Sequence, residues 1–135
     1  MKKYFIFITL VFFQTVSCAE TLEVSVSGIV PNNGKIRIAI FDSESGFQNE
    51  KYIKGQILDS TKNHIKATFY NLMTGKYAVA VYQDTNENTE VDKNFFGYPT
   101  ELLGFSGKKT FGKPKFEDAS FLFNANNKEI SIRIQ

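Results

Sequence analysis

Lys76-Tyr77-Ala78-Val79-Ala80-Val81-Tyr82-Gln83 is the stretch on which the fold turns. Tyr77, Val79 and Val81 alternate with Ala78 and Ala80, so the period is that of a strand while both faces are apolar. A strand of that kind is covered on both sides and sits centrally in a sheet. Working upstream, Asn71-Leu72-Met73-Thr74-Gly75 reads as a turn, and Ile65, Ala67 and Phe69 alternate with Lys66, Thr68 and Tyr70 in a further strand. Residues 56–60 suggest a short strand. Residues 42–54 are a connection broken by Ser43, Ser45 and Gly46, with room for one helical turn and with Phe47 pinning it to the core. Ile36, Ile38 and Ile40 alternate with Arg37, Ala39 and Phe41, and Leu22, Val24 and Val26 with Glu23, Ser25 and Ser27. With the turn-rich residues 28–34 between them, this pair reads as a β-hairpin. Downstream, residues 119–123 and 129–134 read as a last hairpin across 124–128. About seven short strands, no long helical period and no repeat predict an all-β chain: an antiparallel β-sandwich of immunoglobulin-like layout with one long folded loop.

The N-terminus has the order of a secretory signal: Met1-Lys2-Lys3, an apolar run over residues 4–13, then Ser17-Cys18-Ala19. The run is too short to span a bilayer as a mature helix. Small residues at Ser17 and Ala19 suit a signal peptidase, which predicts a signal over residues 1–19 and a single mature domain over residues 20–135, periplasmic or secreted. Cys18 offers a second reading as a lipid-modified anchor, although the Leu expected three residues before it is Thr15. Cys18 is the sole cysteine, so no disulfide is available to the chain. Removing Lys2 and Lys3 reduces the 16 basic residues to 14, against 14 acidic ones. A formally neutral domain argues against nucleic acid, or an anionic membrane, held by bulk charge.

Residues 84–118 form a connection far longer than compact domains ordinarily carry without a purpose. Phe95, Phe96, Tyr98, Leu102, Leu103, Phe105, Phe111 and Phe116 would be costly to leave in water, which predicts a folded cap over one end or edge of the sandwich. At its start, Asp84-Thr85-Asn86-Glu87-Asn88-Thr89-Glu90-Val91-Asp92 places side-chain oxygens at relative positions 1, 3, 5 and 9, the spacing by which an EF-hand-type loop wraps calcium. The carbonyl of Glu90 could fill position 7, and Glu101 could supply a remote carboxylate. Thr89 stands where the sharp turn favours Gly, and Phe95 where a bidentate Glu is expected. The plain alternative is that Asp and Asn are turn formers whose side chains satisfy nearby backbone N–H groups. Beyond the loop, Tyr98 and Phe105 offer stacking platforms for a sugar or peptide with Glu101 as polar handle, or else form a mini-core of the cap itself.

The series Gly75-Lys76-Tyr77-Ala78-Val79-Ala80-Val81-Tyr82-Gln83-Asp84, Asn86, Asn88, Asp92, Gly97, Pro99, Glu101, Gly104-Phe105-Ser106 and Phe116-Glu117-Asp118-Ala119, with Gly34-Lys35-Ile36-Arg37-Ile38-Ala39-Ile40-Phe41-Asp42 upstream, resembles the exported bacterial family catalogued as domain of unknown function 2141. The resemblance covers nearly the whole mature chain. It implies a secreted or periplasmic β-sandwich, similar in layout to transthyretin-like or carboxypeptidase-regulatory-like modules, with no established activity. Members usually carry Asp-x-Asn-x-Asn-Gly-x-x-Asp, so Asp84, Asn86, Asn88 and Asp92 carry over while the glycine position is Thr89.

Catalytic equipment is sparse. His64 is the sole histidine and sits beside a strand, which leaves Ser-His-Asp and His-rich metal chemistry little to work with. The expectation is a non-catalytic exported module that presents its cap, steadied by calcium, to an envelope protein or glycan. The competing expectation is a carbohydrate-binding or carbohydrate-active protein using Glu101, with Asp92, Glu117 or Asp118 as a second acid, beside the cap's aromatics.

Overall fold

The computed structural model describes residues 18–109 and 112–135. The expected signal segment, apart from Cys18 and Ala19, and Phe111 lie outside the described residues. Among those described, no helix is long and apolar enough to cross a membrane.

Among the described residues, eight strands and two short helices follow in the order β1 (Glu20–Ser27), β2 (Lys35–Phe41), α1 (Glu44–Gln48), β3 (Lys54–Asp59), β4 (His64–Leu72), β5 (Gly75–Asp84), β6 (Leu103–Phe105), α2 (Phe116–Ala119), β7 (Ser120–Phe123) and β8 (Glu129–Arg133). One sheet has the order β4-β1-β8. The other runs β3-β2-β5-β6, with β7 also pairing β5. The result is the expected β-sandwich, antiparallel except where β1 and β8 run parallel. β5 holds the central place that its doubly apolar sequence predicts, flanked by β2 on one side and by β6 and β7 on the other.

Both expected hairpins are corrected. β1 and β2 lie in different sheets, joined by an arch over residues 28–34. The buried amide of Gln83 clamps this arch: its oxygen accepts from the Val30 N–H at 3.0 Å and its nitrogen donates to the carbonyls of Val30 at 2.7 Å and Asn33 at 2.6 Å. The arch passes so close to the end of β5 that a Cβ on Gly34 would stand 2.0 Å from the Asp84 carbonyl oxygen, and Gly34 also has φ +71°. β7 and β8 part in the same way, β7 to β5 and β8 to β1. Alternation reveals which face of a strand is buried. It does not reveal whether the next strand lies beside it or across the core.

The main core lies between the sheets, with Leu22, Val24 and Val26, Ile36, Ile38 and Ile40, Val79 and Val81, Phe123, Ile132 and Ile134 all buried. A second cluster covers the outer face of the larger sheet. There Ala39, Ala78 and Ala80 leave space above the strands, and the rings of Phe47, Phe41, Phe105 and Phe116 fill it, with Phe47 at 5.2, 5.9 and 6.1 Å from the other three. The helical turn α1 holds Phe47 there. It is capped by Ser43, whose hydroxyl accepts from the Gly46 N–H at 3.2 Å.

The long connection is not one cap with its own core. Phe105 and Phe116 join the outer cluster, and Leu102 packs on the main core. Phe95, Phe96 and Tyr98 remain exposed. β6 is tied to the C-terminus by a reciprocal pair of backbone bonds between Leu103 and Gln135, which links the two sheets on that side. The register also sets which end is which. Lys35 pairs with Asp84, and β1 reaches the arch at Ser27, so the loop after Asp84, the arch and the C-terminus share one end. Glu20, opposite Leu72, starts at the other.

Candidate functional site

Asp84 closes β5 on the outer face, fully buried. Its Oδ1 accepts from the Asn88 N–H at 3.1 Å, and its Oδ2 from the Thr89 N–H at 3.0 Å and from the Arg37 guanidinium at 2.5 Å. Arg37 reaches it from the neighbouring strand β2, also on the outer face. Burial alone would push the Asp84 carboxyl up. The Arg37 guanidinium and the two N–H groups outweigh that and hold it below the usual carboxylate range. Beside it, burial raises the Tyr82 hydroxyl, which Arg37 partly offsets; this hydroxyl donates to the Thr89 carbonyl at 2.8 Å.

Glu101 is the second buried acid, 6% exposed. Its Oε1 accepts from the Thr85 N–H at 2.8 Å and the Thr85 hydroxyl at 3.1 Å, and its Oε2 from the Asp92 N–H at 3.2 Å. One carboxylate therefore clasps both ends of loop 85–92. Within the loop, Asn86 and Asn88 make Asx turns: Asn86 Oδ1 accepts from the Asn88 N–H and Asn88 Oδ1 from the Glu90 N–H, at 3.2 and 2.9 Å. Their side-chain NH2 groups donate to the two oxygens of Asp92, at 2.6 and 2.8 Å. Thr89, where the sharp turn favours Gly, has φ +73°, a glycine conformation on a β-branched residue.

Asp84, Asn86, Asn88, Asp92 and Glu101 thus all hold loop 85–92 by hydrogen bonds, while Glu90 is exposed. Their oxygens are aimed at N–H groups. Seating calcium would require displacing Arg37 from Asp84 and turning both asparagine amides away from Asp92. Among the described residues no three acidic, histidine or cysteine side chains are grouped to hold a metal ion. As folded, the donor set fits backbone N–H groups and a guanidinium, not a cation cage.

Tyr98, Phe105 and Glu101 do not face a common site. Glu101 is committed to the loop backbone, Phe105 is half-buried against Phe47, and Tyr98 is 58% exposed. The reason is that Phe105 lies on β6, paired to β5 over the outer cluster, whereas Tyr98 lies on an excursion from the sheet. His64 is exposed at the start of β4.

That excursion is a small hairpin. Thr100 N–H donates to the Asp92 carbonyl, Lys93 bridges Pro99, and Asn94 organises the turn. Asn94 Oδ1 accepts from the N–H groups of Phe96 and Tyr98, both at 3.0 Å, and its carbonyl accepts from the Gly97 N–H at 2.9 Å. Gly97 supplies φ +80°. At the tip Phe95 is 98% and Phe96 80% exposed, with their rings edge to face at 5.6 Å. Sequence reasoning missed Arg37, Asn94 and this aromatic pair. The signal for the turn was present as Asn94 ahead of Gly97.

The family model of DUF2141, described as an uncharacterized protein conserved in bacteria, matches residues 24–131. The chain belongs to this family. No curated protein and no solved structure matches it.

Proposed function

We propose that the chain is an exported, non-catalytic β-sandwich module that binds at the bacterial cell envelope through the tip at residues 93–99. The observation that carries this reading is the exposure of Phe95 and Phe96, 98% and 80%, on a turn that Asn94 holds fixed. Two adjacent phenylalanines left in water forgo roughly 3–6 kcal/mol of burial, and a partner recovers it. A rigid base adds to this, because the tip is ordered before it binds. Export is supported by the charged, apolar and small-residue order of residues 1–19. Calcium has no part in this reading.

Fractionation of cells making the protein tests both halves. The expected outcome is a processed chain outside the cytoplasm, starting near Glu20, that is retained on washed envelopes. Replacing Phe95→Ser and Phe96→Ser together should lower that retention on the order of a hundredfold in affinity while leaving the melting temperature in place. A cytoplasmic chain with an intact N-terminus would refute export, and undiminished retention of the double variant would refute the tip.

A further inference from the structure

Of the other exposed apolar residues, Ile57, Tyr70 and Leu122 stand singly on strands, and the adjacent Tyr52 and Ile53, 61% and 45% exposed, lie just ahead of β3, with the Tyr52 ring against Gly55. Phe95 and Phe96 are consecutive and project from a turn. We propose that this tip inserts into the interfacial layer of a zwitterionic phospholipid bilayer. The assignment rests on the tip being the binding surface and names what it meets.

Three observations point to lipid. First, the N–H groups of Phe96, Gly97 and Tyr98 are all satisfied by Asn94, so these three donors can leave water without losing their partners. An irregular loop without such internal bonds pays a heavy desolvation cost on entering a membrane. Second, the three rings offer roughly 500 Å², short of the about 800 Å² per partner of a standard protein interface, whereas a bilayer needs no complementary socket. Their convex shape and the 86° angle between the phenylalanine rings also leave no common plane for a sugar ring. Third, residues 93–100 contain one Lys and no acid, while Glu87 and Glu90 are exposed in the adjoining loop. Anionic lipid therefore gains nothing overall, and apolar insertion carries the attraction. Tyr98, with one polar end, suits the headgroup level beside the phenylalanines.

The chain contains no tryptophan, so Phe96→Trp places a single reporter at the tip. Added to phosphatidylcholine vesicles, this variant should show a blue-shifted emission that brominated lipid quenches and that about 0.5 M salt leaves intact. Leu122→Trp, at the opposite end of the sandwich, should not respond, and adding Phe95→Ser to Phe96→Trp should weaken partition at least about tenfold. The lipid assignment is overturned by no shift at Phe96→Trp, by a response confined to phosphatidylglycerol vesicles and abolished by salt, or by an equal shift at Leu122→Trp. If vesicles give no shift but the Phe95→Ser, Phe96→Ser variant still leaves isolated envelopes, the binding reading stands with a protein or glycan as partner. If neither responds, both fail.

Discussion

Loop 85–92 and the hairpin tip at 93–99 are neighbours in sequence, and asparagine side chains turn both, yet they invert each other. The first hangs its backbone on the buried carboxylates of Asp84 and Glu101. The second satisfies its backbone through Asn94 and turns Phe95 and Phe96 outward. Charge is inside and apolar surface outside, the reverse of what folding alone selects. The contrast separates stability from recognition: the loop should carry the first and the tip the second.

Removing the buried pair breaks the contrast most severely. Asp84→Ala strips Arg37 of its carboxylate and frees the N–H groups of Asn88 and Thr89, so a loss of about 3–5 kcal/mol is expected in denaturant melts. The same group predicts the acid limb. Because the folded carboxyl lies below its unfolded value, the stability it contributes is complete above the unfolded value near pH 3.8 and is lost as pH falls through the folded one. In Asp84→Asn that part of the acid dependence should disappear. Glu101→Gln should cost less, about 1–3 kcal/mol, because one oxygen can still serve Thr85 while an NH2 group faces the Asp92 N–H. An unchanged melt would mean that Glu101 does not clasp the loop.

Thr89→Gly works in the opposite direction. It relieves a β-branched residue at φ +73° and should raise stability by about 1 kcal/mol; a fall would show that the threonine side chain contributes more than its backbone strain costs. Smallest of all are two expected nulls. Phe95→Ser with Phe96→Ser should shift stability by less than about 0.5 kcal/mol. Melts in chelator and in millimolar calcium should coincide, and a calcium-dependent rise lost in Asp84→Ala would mean that the loop rearranges into a cage.

Much of this was legible in residues. The doubly apolar run from Lys76 to Gln83 placed β5, and alternation placed β1, β2 and β4 with their buried faces. Pairing was not legible, because the same alternation in Leu22 to Val26 and Ile36 to Ile40 suits a hairpin and an arch alike. At the site, spacing picked out Asp84, Asn86, Asn88 and Asp92 as one loop, and the lone acid Glu101 stood out as a remote carboxylate that could fold back on it. Arg37 escaped, since it is an unremarkable outward residue of a strand 47 positions away and meets Asp84 only through the β2–β5 register. Phe95 and Phe96 escaped for another reason. Apolar bookkeeping assigns every large ring to a core, and it cannot tell which ring function has left out.

The placement of the chain ends gives the molecule a direction. Glu20 opens β1 at the end away from the tip, and the eight residues of β1, rising about 3.3 Å per step, separate it from Ser27 by roughly 23 Å. Gln135, bonded to Leu103, ends on the tip's side. Held by a tether ahead of Glu20, the domain stands like a probe with its aromatic point facing outward. Attached through Gln135, it is held by the same end that carries the exposed rings. For immobilisation or fusion the two termini are therefore not equivalent, and the N-terminal side is the one that leaves the tip free.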